Sequence, residues 1–156
     1  MSSEDEFQTQ TDGAFTYPAQ AGSLKKGDFI LIKDKTCKVL EITTSKTGKH
    51  GHAKANITAF DVFDEKKAED SLPTSHNVMC VVTSKMEYDL TNLTDEGAVT
   101  VMDDKGEYRE DLKIDTDSET YVKMREAFEK NLDVVVTVFS AMGKEKIVDF
   151  KVDKKD

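Results

Sequence analysis

The sequence has no apolar stretch long enough to cross a bilayer, and no targeting segment is visible at its start. Hydrophobic residues make up 37% of the 156 residues and charged residues 34%, a composition typical of a soluble globular protein. The first residues, MSSEDEFQTQTDG, have neither the basic start and apolar run of a secretory signal nor the arginines of a transit peptide. We therefore expect a cytoplasmic protein without a membrane partner.

Cysteine and proline are scarce, with two residues of each. Cys37 and Cys80 each lie in an apolar run, which predicts buried thiols in a reducing compartment and argues against a disulfide or a reactive thiol. The small number of prolines favours a fold of strands in closed sheets. The length suits one ordinary domain or two small ones.

Positive charge is scarce in the chain as a whole, which has a formal net charge of -9 at pH 7. The lysines are concentrated in residues 25–54, where eight lysines and three acidic residues give a local charge of +5. The centre of this region, TTSKTGKHGHAKAN (43–56), contains three lysines and two histidines but no acidic residue. A basic surface on an acidic protein favours a focused contact with a polyanion.

The first half of the chain predicts an acidic tail followed by strands. Residues 1–16 lack hydrophobic periodicity, and we expect them to be disordered. Branched aliphatic and aromatic runs then predict strands, with a tight turn at Asp34-Lys35 and a charged connection over residues 64–73. The predicted strands cover residues 28–33, 36–42, 56–63 and 77–83. Residues 43–54 therefore form a predicted hairpin loop.

The second half, from Ser84, predicts five short strands and one helix. Asp117-Ser118 is the predicted N-cap of a helix that ends near Lys130, and residues 104–106 are a predicted hairpin turn. The predicted strands cover residues 87–90, 98–103, 111–114, 134–139 and 146–152. Many short strands with one helix indicate a mainly β protein of two small barrels in tandem, over residues 17–83 and 84–156.

The predicted loop has a composition that suits contact with phosphates. Gly48 and Gly51 flank Lys49, so the tip can adopt backbone conformations that other residues disfavour. Lys46 and Lys54, on the two arms, could hold phosphates as mobile charges. A solvated, flexible loop with ordinary lysines explains the same composition, and the residues alone do not separate these two interpretations.

Three other chemistries fit the loop poorly. A P-loop needs a glycine five residues before its Gly-Lys pair and a Ser or Thr after it, but Thr43 and His50 occupy those positions. A metal site at His50 and His52, with the distant His76, lacks nearby carboxylates and thiolates. Ser45 has no orienting acid for nucleophilic catalysis. We predict neither a metal site nor a catalytic residue.

One ten-residue segment is similar to a known family. SKTGKHGHAK, residues 45–54, resembles the hypusine loop of the eukaryotic translation factors called initiation factor five-A. PTSHNV (73–78), REDL (109–112) and SAM (140–142) resemble further elements of that family and occur in the same order. The resemblance implies an SH3-like barrel over residues 17–83, followed by an OB-fold over residues 84–156.

The resemblance also implies what the loop does. Lys49 would be the residue converted to hypusine: deoxyhypusine synthase uses NAD to transfer an aminobutyl group to it from spermidine, and deoxyhypusine hydroxylase acts on the product. The protein would thus be a substrate and not an enzyme, and it would bind no cofactor. Other loop residues would contact tRNA, ribosomal RNA or the modifying enzymes: Ser45, Lys46, Thr47, Gly48, His50, Gly51, His52 and Lys54.

The function implied by the resemblance is that of a ribosome-binding translation factor. From the ribosomal exit site, its hypusine would lie beside the acceptor end of peptidyl-tRNA, promote peptide-bond formation at stalled sites such as proline stretches, and aid termination. The alternative is an unmodified two-barrel protein that binds RNA or self-assembles. A general RNA-binding module would carry aromatic residues among its basic ones, and residues 43–56 contain none. Whether two copies form a homodimer stays open.

Overall fold

The computed structural model describes residues 15–46 and 53–153. The chain divides into two compact units, and the main boundary lies between Thr83 and Ser84. Strands dominate both units, so the prediction of a mainly β protein is confirmed. Within the described ranges, no helix is long and apolar enough to cross a membrane.

The first unit is a six-stranded sheet. Its strands are β1 (Thr16–Gln20), β2 (Phe29–Ile32), β3 (Lys35–Lys46), β4 (Ala53–Asp61), β5 (Lys66–Pro73) and β6 (Asn77–Val81). They lie in the order β1-β6-β2-β3-β4-β5, with antiparallel neighbours. Aliphatic and cysteine side chains on one face of this sheet form a buried core.

The two cysteines lie in this core on either side of β2. Ile30 is the register partner of Cys37 in β3 and of Cys80 in β6. Because neighbouring strands are about 4.8 Å apart, the two cysteines are about 10 Å apart, beyond the reach of a disulfide. Burial raises the pKa of the Cys37 thiol to about 11, so this thiol stays protonated at neutral pH. Both cysteines are free and buried, as predicted.

A two-residue turn connects β2 to β3. Lys33 and Asp34 both have positive φ values, of 51° and 66°, and this conformation matches the twist of the strands on either side. The turn therefore lies one residue before the predicted Asp34-Lys35, and Lys35 is already the first residue of β3.

A bulge between Val39 and Glu41 keeps the apolar side chains of β3 on the core face. Val39 pairs with Ala59, and Ile42 pairs with Ile57. Three residue steps along β3 thus match two steps along β4. The extra residue reverses the alternation of side chains, so that Ile42 and not Glu41 faces the core.

Two strands of the first sheet differ from the prediction. The predicted connection over residues 64–73 is wrong, because β5 occupies most of it and pairs with β4 along its whole length. Ala68 and Leu72 of β5 are partly buried against the core, which outweighs the charged composition of the segment. β1 begins at Thr16, inside the predicted tail, because Thr16 pairs with Val81. Residues 1–14 of that tail lie outside the described residues.

The second unit contains a five-stranded sheet and a helix. Its elements are β7 (Thr83–Leu93), β8 (Ala98–Met102), β9 (Tyr108–Lys113), α1 (Glu119–Glu129), β10 (Asp133–Ala141) and β11 (Lys144–Asp153). The strands lie in the order β11-β10-β7-β8-β9. Each predicted strand overlaps an observed one, although β7 is much longer than the predicted residues 87–90.

The helix α1 begins and packs as predicted. The hydroxyl of Ser118 accepts a hydrogen bond from the backbone N–H of Tyr121 at 3.1 Å, which caps the first turn. Tyr121, Met124 and Ala127 form the buried face of the helix. The Tyr121 hydroxyl also donates to the backbone carbonyl of Thr94 at 2.9 Å, which fixes the helix to the end of β7.

Arg109 joins the two edge strands of the second sheet. From β9, its guanidinium donates hydrogen bonds of 2.6 and 3.1 Å to Glu145 in β11. It also donates bonds of 2.7 and 3.0 Å to Asp111 and one of 3.1 Å to the hydroxyl of Tyr88, over whose ring it lies. Arg109 holds the pKa of Asp111 below its ordinary value, so this stabilisation is present at neutral pH and is lost only in acid.

Replacing Arg109 with Met should destabilise the second unit by about 1–2 kcal/mol. Hydrogen bonds to charged groups contribute about 1.5–3 kcal/mol, and solvent screening reduces this value at a partly exposed site. Faster hydrogen exchange in peptides from β9 and β11 would measure the loss locally. Lys113→Met changes an exposed basic residue of the same strand and is the matched control. Equal exchange in the two variants would contradict the role given to Arg109.

Candidate functional site

The predicted hairpin loop is shorter than expected, because β3 and β4 extend into it. The two strands stay paired as far as Lys46 and Ala53. The prediction of a loop over residues 43–54 is therefore wrong at both ends. The Thr and Ser side chains of residues 43–45 give no apolar alternation, and the strand forms there through pairing with its neighbour.

Three of the predicted site residues lie where the paired strands end. Ser45 is the register partner of Lys54, and Lys46 is that of Ala53. We call these four residues the arm ends. The side chains of Ser45, Lys46 and Lys54 are exposed. The other predicted site residues lie outside the described residues, and their roles stay predictions: Thr47, Gly48, Lys49, His50, Gly51 and His52.

The arms, by which we mean residues 43–46 of β3 and residues 53–54 of β4, lie at the edge of the core of the first unit. Residues 43–46 are all exposed, whereas the core reaches Ala55 of β4, which is fully buried and is the register partner of Thr44. β5 extends as far as β4 at this end of the sheet, since Pro73 is the register partner of Lys54. The arm ends therefore belong to a sheet of three strands, β3, β4 and β5.

Asn56 connects these three strands just below the arm ends. Its side-chain amide donates a hydrogen bond to the hydroxyl of Ser45 in β3 at 3.2 Å. Its side-chain oxygen accepts one from the hydroxyl of Ser71 in β5 at 2.9 Å. Sequence reasoning missed Asn56 and Ser71, because only the strand register brings them beside Ser45.

An acidic groove lies further along the same outer face. Its volume is about 490 Å³, and it is lined by Glu41, Thr43, Asn56, Ile57, Thr58, Glu69, Asp70 and Ser71. Three of these residues are carboxylates, whereas Lys54 lies four residues from Thr58 along β4, about 13 Å away. A polyanion is therefore attracted to the arm ends and repelled over the groove.

A groove on the second unit is acidic as well. It has a volume of about 250 Å³, and its charged lining consists of five carboxylates and one lysine: Glu87, Asp89, Asp103, Asp104, Asp153 and Lys151. The lysine is already paired with Glu87 at 3.3 Å. Surfaces that bind nucleic acid single strands are basic and carry aromatic residues, so this groove does not suit a polyanion.

Both units match known protein families. Residues 14–76 match the family described as translation initiation factor 5A-like, N-terminal, and residues 81–151 match eukaryotic elongation factor 5A hypusine, DNA-binding OB fold. Eukaryotic translation initiation factor 5A-3 of Arabidopsis thaliana is 43% identical over 149 residues, which cover 95% of this chain and 94% of the relative. The chain belongs to the eukaryotic translation initiation factor 5A family.

Solved structures of the family have the same fold. The translation initiation factor eif-5a family protein from Naegleria fowleri is 49% identical with a TM-score of 0.78, over 88% of this chain and 99% of that one. Eukaryotic translation initiation factor 5A from Methanococcus jannaschii is 28% identical with a TM-score of 0.69, over 87% and 95%. The predicted family and fold class are thereby confirmed, and the relatives are translation factors.

Replacing Asn56 with Ala should loosen the arms without unfolding the first unit. The two lost hydrogen bonds contribute about 1 kcal/mol in a partly exposed site, so amide exchange of residues 43–45 should become about fivefold faster. Thr58→Ala is the matched control, since Thr58 lies on the same strand and the same face. If both variants exchange alike, the hydrogen bonds of Asn56 do not stiffen the arms.

Proposed function

We propose that the chain is a cytoplasmic, ribosome-binding translation factor that acts through a hypusine side chain made from Lys49. Deoxyhypusine synthase would transfer the aminobutyl group of spermidine to the Nζ atom of Lys49 and release 1,3-diaminopropane, with NAD reduced and then reoxidised in the same cycle, and deoxyhypusine hydroxylase would hydroxylate the product with molecular oxygen as the oxidant. The chain is then a substrate of both enzymes and needs no bound cofactor. Membership of the 5A family supports this proposal, and the family matched by residues 81–151 is described by its hypusine.

The observation that carries the proposal is the pair of supported strands that leads to Lys49. Lys46 and Ala53 are register partners at the ends of β3 and β4, and Lys49 is the third of the six residues that connect them. Asn56 and β5 hold these strand ends in place. A stiff base lowers the entropic cost of placing one side chain against a ligand.

The charges near the arm ends suit an approach to the acceptor end of a tRNA. Lys46 and Lys54 are exposed, while Glu41 and Glu69 line the groove behind them. This pattern attracts phosphates to the arm ends and repels them from the strands below, which favours an end-on contact. We propose that the protein reaches peptidyl-tRNA in this way from the exit site, beside ribosomal RNA.

Hypusine gives Lys49 a reach and a chemistry that lysine lacks. One positive charge becomes two, separated by a short apolar linker, and the hydroxyl adds a donor and an acceptor. Such a side chain can enter between phosphates and ribose 2′-hydroxyls, where a β-barrel cannot. It would order the acceptor end for peptide transfer at stalled sites, such as proline stretches, and for termination.

Positioning alone is sufficient for the proposed effect. A hundredfold acceleration of a stalled step requires a barrier lower by about 2.7 kcal/mol. Restricting a mobile reactant to a reactive geometry contributes up to about 7–11 kcal/mol in favourable systems. The proposal therefore needs no acid or base from this chain.

A translation extract depleted of its own 5A factor tests the proposal. The hypusinated chain should restore synthesis of a reporter that contains consecutive prolines. Unmodified chain and the Lys49→Arg variant should restore it about a hundredfold less well, because their side chains are too short to order the acceptor end. Peptide mass spectrometry across residues 43–54 establishes which preparations carry the modification.

Lys46→Arg is the control for this experiment, since it keeps the charge at the arm end and leaves Lys49 available for modification. It should act like the parent chain. Equal rescue by modified and unmodified chains would overturn the proposal, as would bare Lys49 in protein purified from its own cells. Either result would favour an unmodified two-barrel protein that binds RNA or self-assembles.

A further inference from the structure

Aromatic and basic side chains alternate across the outer face of the first sheet, at the end of β3 and β4 remote from the arm ends. Lys38 in β3 is the register partner of Phe60 in β4, and Phe60 is that of Lys67 in β5. Phe29 in β2 is the partner of Lys38 on its other side. We call these four residues, which span four strands, the Phe–Lys row.

The side chains of the Phe–Lys row point away from the core. Phe60 is 37% exposed, Lys38 and Lys67 are exposed, and Phe29 is partly buried. Their neighbours along β3 and β4 are all buried: Cys37, Val39, Ala59 and Asp61. Because side chains alternate between the two faces of a strand, the row belongs to the outer face.

The row carries positive charge that is available to a ligand. Among residues 15–46 and 53–153, neither Lys38 nor Lys67 takes part in an ion pair. Glu41 and Glu69 lie on the same face, in the next row, where each is a register partner of Thr58. The positive row is therefore bounded on one side by the acidic groove, which confines a polyanion to the row itself.

We propose that the Phe–Lys row binds single-stranded RNA, with a base stacked on Phe60 and phosphates beside Lys38 and Lys67. Since neighbouring strands are about 4.8 Å apart, the two lysines flank the ring and lie about 10 Å from each other. Stacking on aromatic rings between lysine–phosphate contacts is how proteins bind single strands without reading their sequence. A peptide of acidic residues alone would neutralise the lysines but would offer Phe60 no planar partner.

This site is separate from the segment that contains Lys49. Lys38 and Lys46 are eight residues apart in β3, about 26 Å, and the acidic groove lies between them. Aromatic residues are absent from residues 43–56, but the strand register brings Phe60 between Lys38 and Lys67, which are distant in sequence, and puts Phe29 beside Lys38. Binding at the Phe–Lys row needs no modification of Lys49 and goes beyond the function proposed above.

Fluorescence anisotropy with a labelled twelve-nucleotide oligouridine tests the stacking contact, using the full unmodified chain produced in bacteria. Phe60→Leu should weaken binding at least about fivefold, because the stacked base loses its aromatic partner. Phe60→Trp should bind as tightly as the parent or more tightly. Both variants change an outward side chain and should fold, which circular dichroism verifies.

Salt titrations of the same complex test the two lysines. Lys38→Ala and Lys67→Ala should each reduce the slope of log affinity against log salt by about 0.7, the value for one phosphate contact on a single strand. Lys105→Ala removes an exposed lysine of the second unit and should leave the slope unchanged. A slope that falls for Lys46→Ala but not for Lys38→Ala would place the RNA at the arm ends and overturn the proposal.

Three further results would also overturn it: equal affinities of Phe60→Leu and the parent chain, equal affinity for duplex RNA and oligouridine, or equal competition by polyglutamate. The last two would show that charge alone holds the ligand. The two proposals fail separately, because Lys49→Arg should leave oligouridine binding unchanged. Conversely, Phe60→Leu should still be converted to hypusine at Lys49 by the two modifying enzymes.

Discussion

The register between β3 and β4 is the constraint on which the rest of the first unit depends. The bulge between Val39 and Glu41 puts Ile42 on the core face, and it determines which side chains face outward as far as Lys46 and Ala53. Without the extra residue, the core and solvent faces of β3 would exchange beyond the bulge. The core contacts of the hairpin, the acidic groove and the arm ends all follow from one inserted residue.

Folding separates charges that the sequence places together. Residues 25–54 are one basic segment in the sequence, but on the sheet Lys35 and Lys38 lie at one end of β3 and Lys46 at the other, with Glu41 between them. β5 adds Glu69 to the acidic groove and Lys67 to the Phe–Lys row. Screening at physiological salt acts over about 8 Å. The Phe–Lys row and the arm ends are about 26 Å apart along β3 and therefore act independently. Lys67 and Glu69 are only two residues apart on β5, about 7 Å, so the row and the acidic groove influence each other.

Local features were predictable from the sequence, and features that depend on pairing were not. The N-cap at Ser118 and the buried stripe of α1 depend on residues within one helix, so the sequence predicts them directly. β1 and β5 are strands because distant partners pair with them, and their own sequences contain a proline or many charges. Apart from Asp111, the partners of Asn56 and Arg109 lie 11 to 36 residues away, which no local pattern indicates. Lys49 was found through a resemblance, since neither periodicity nor spacing singles it out.

A stiff hairpin explains why an anchoring contact and a working contact would lie on the same pair of strands. A weak contact between RNA and the Phe–Lys row, independent of the RNA sequence, would raise the effective concentration of the arm ends near RNA. Because β3 fixes the separation of the two contacts at about 26 Å, little entropy is lost when the second forms after the first. The interactions of a hypusine at Lys49 would then not be needed to hold the protein in place. They could instead act mainly on the ordered acceptor end. This matters because only interactions that strengthen in the transition state accelerate the chemical step.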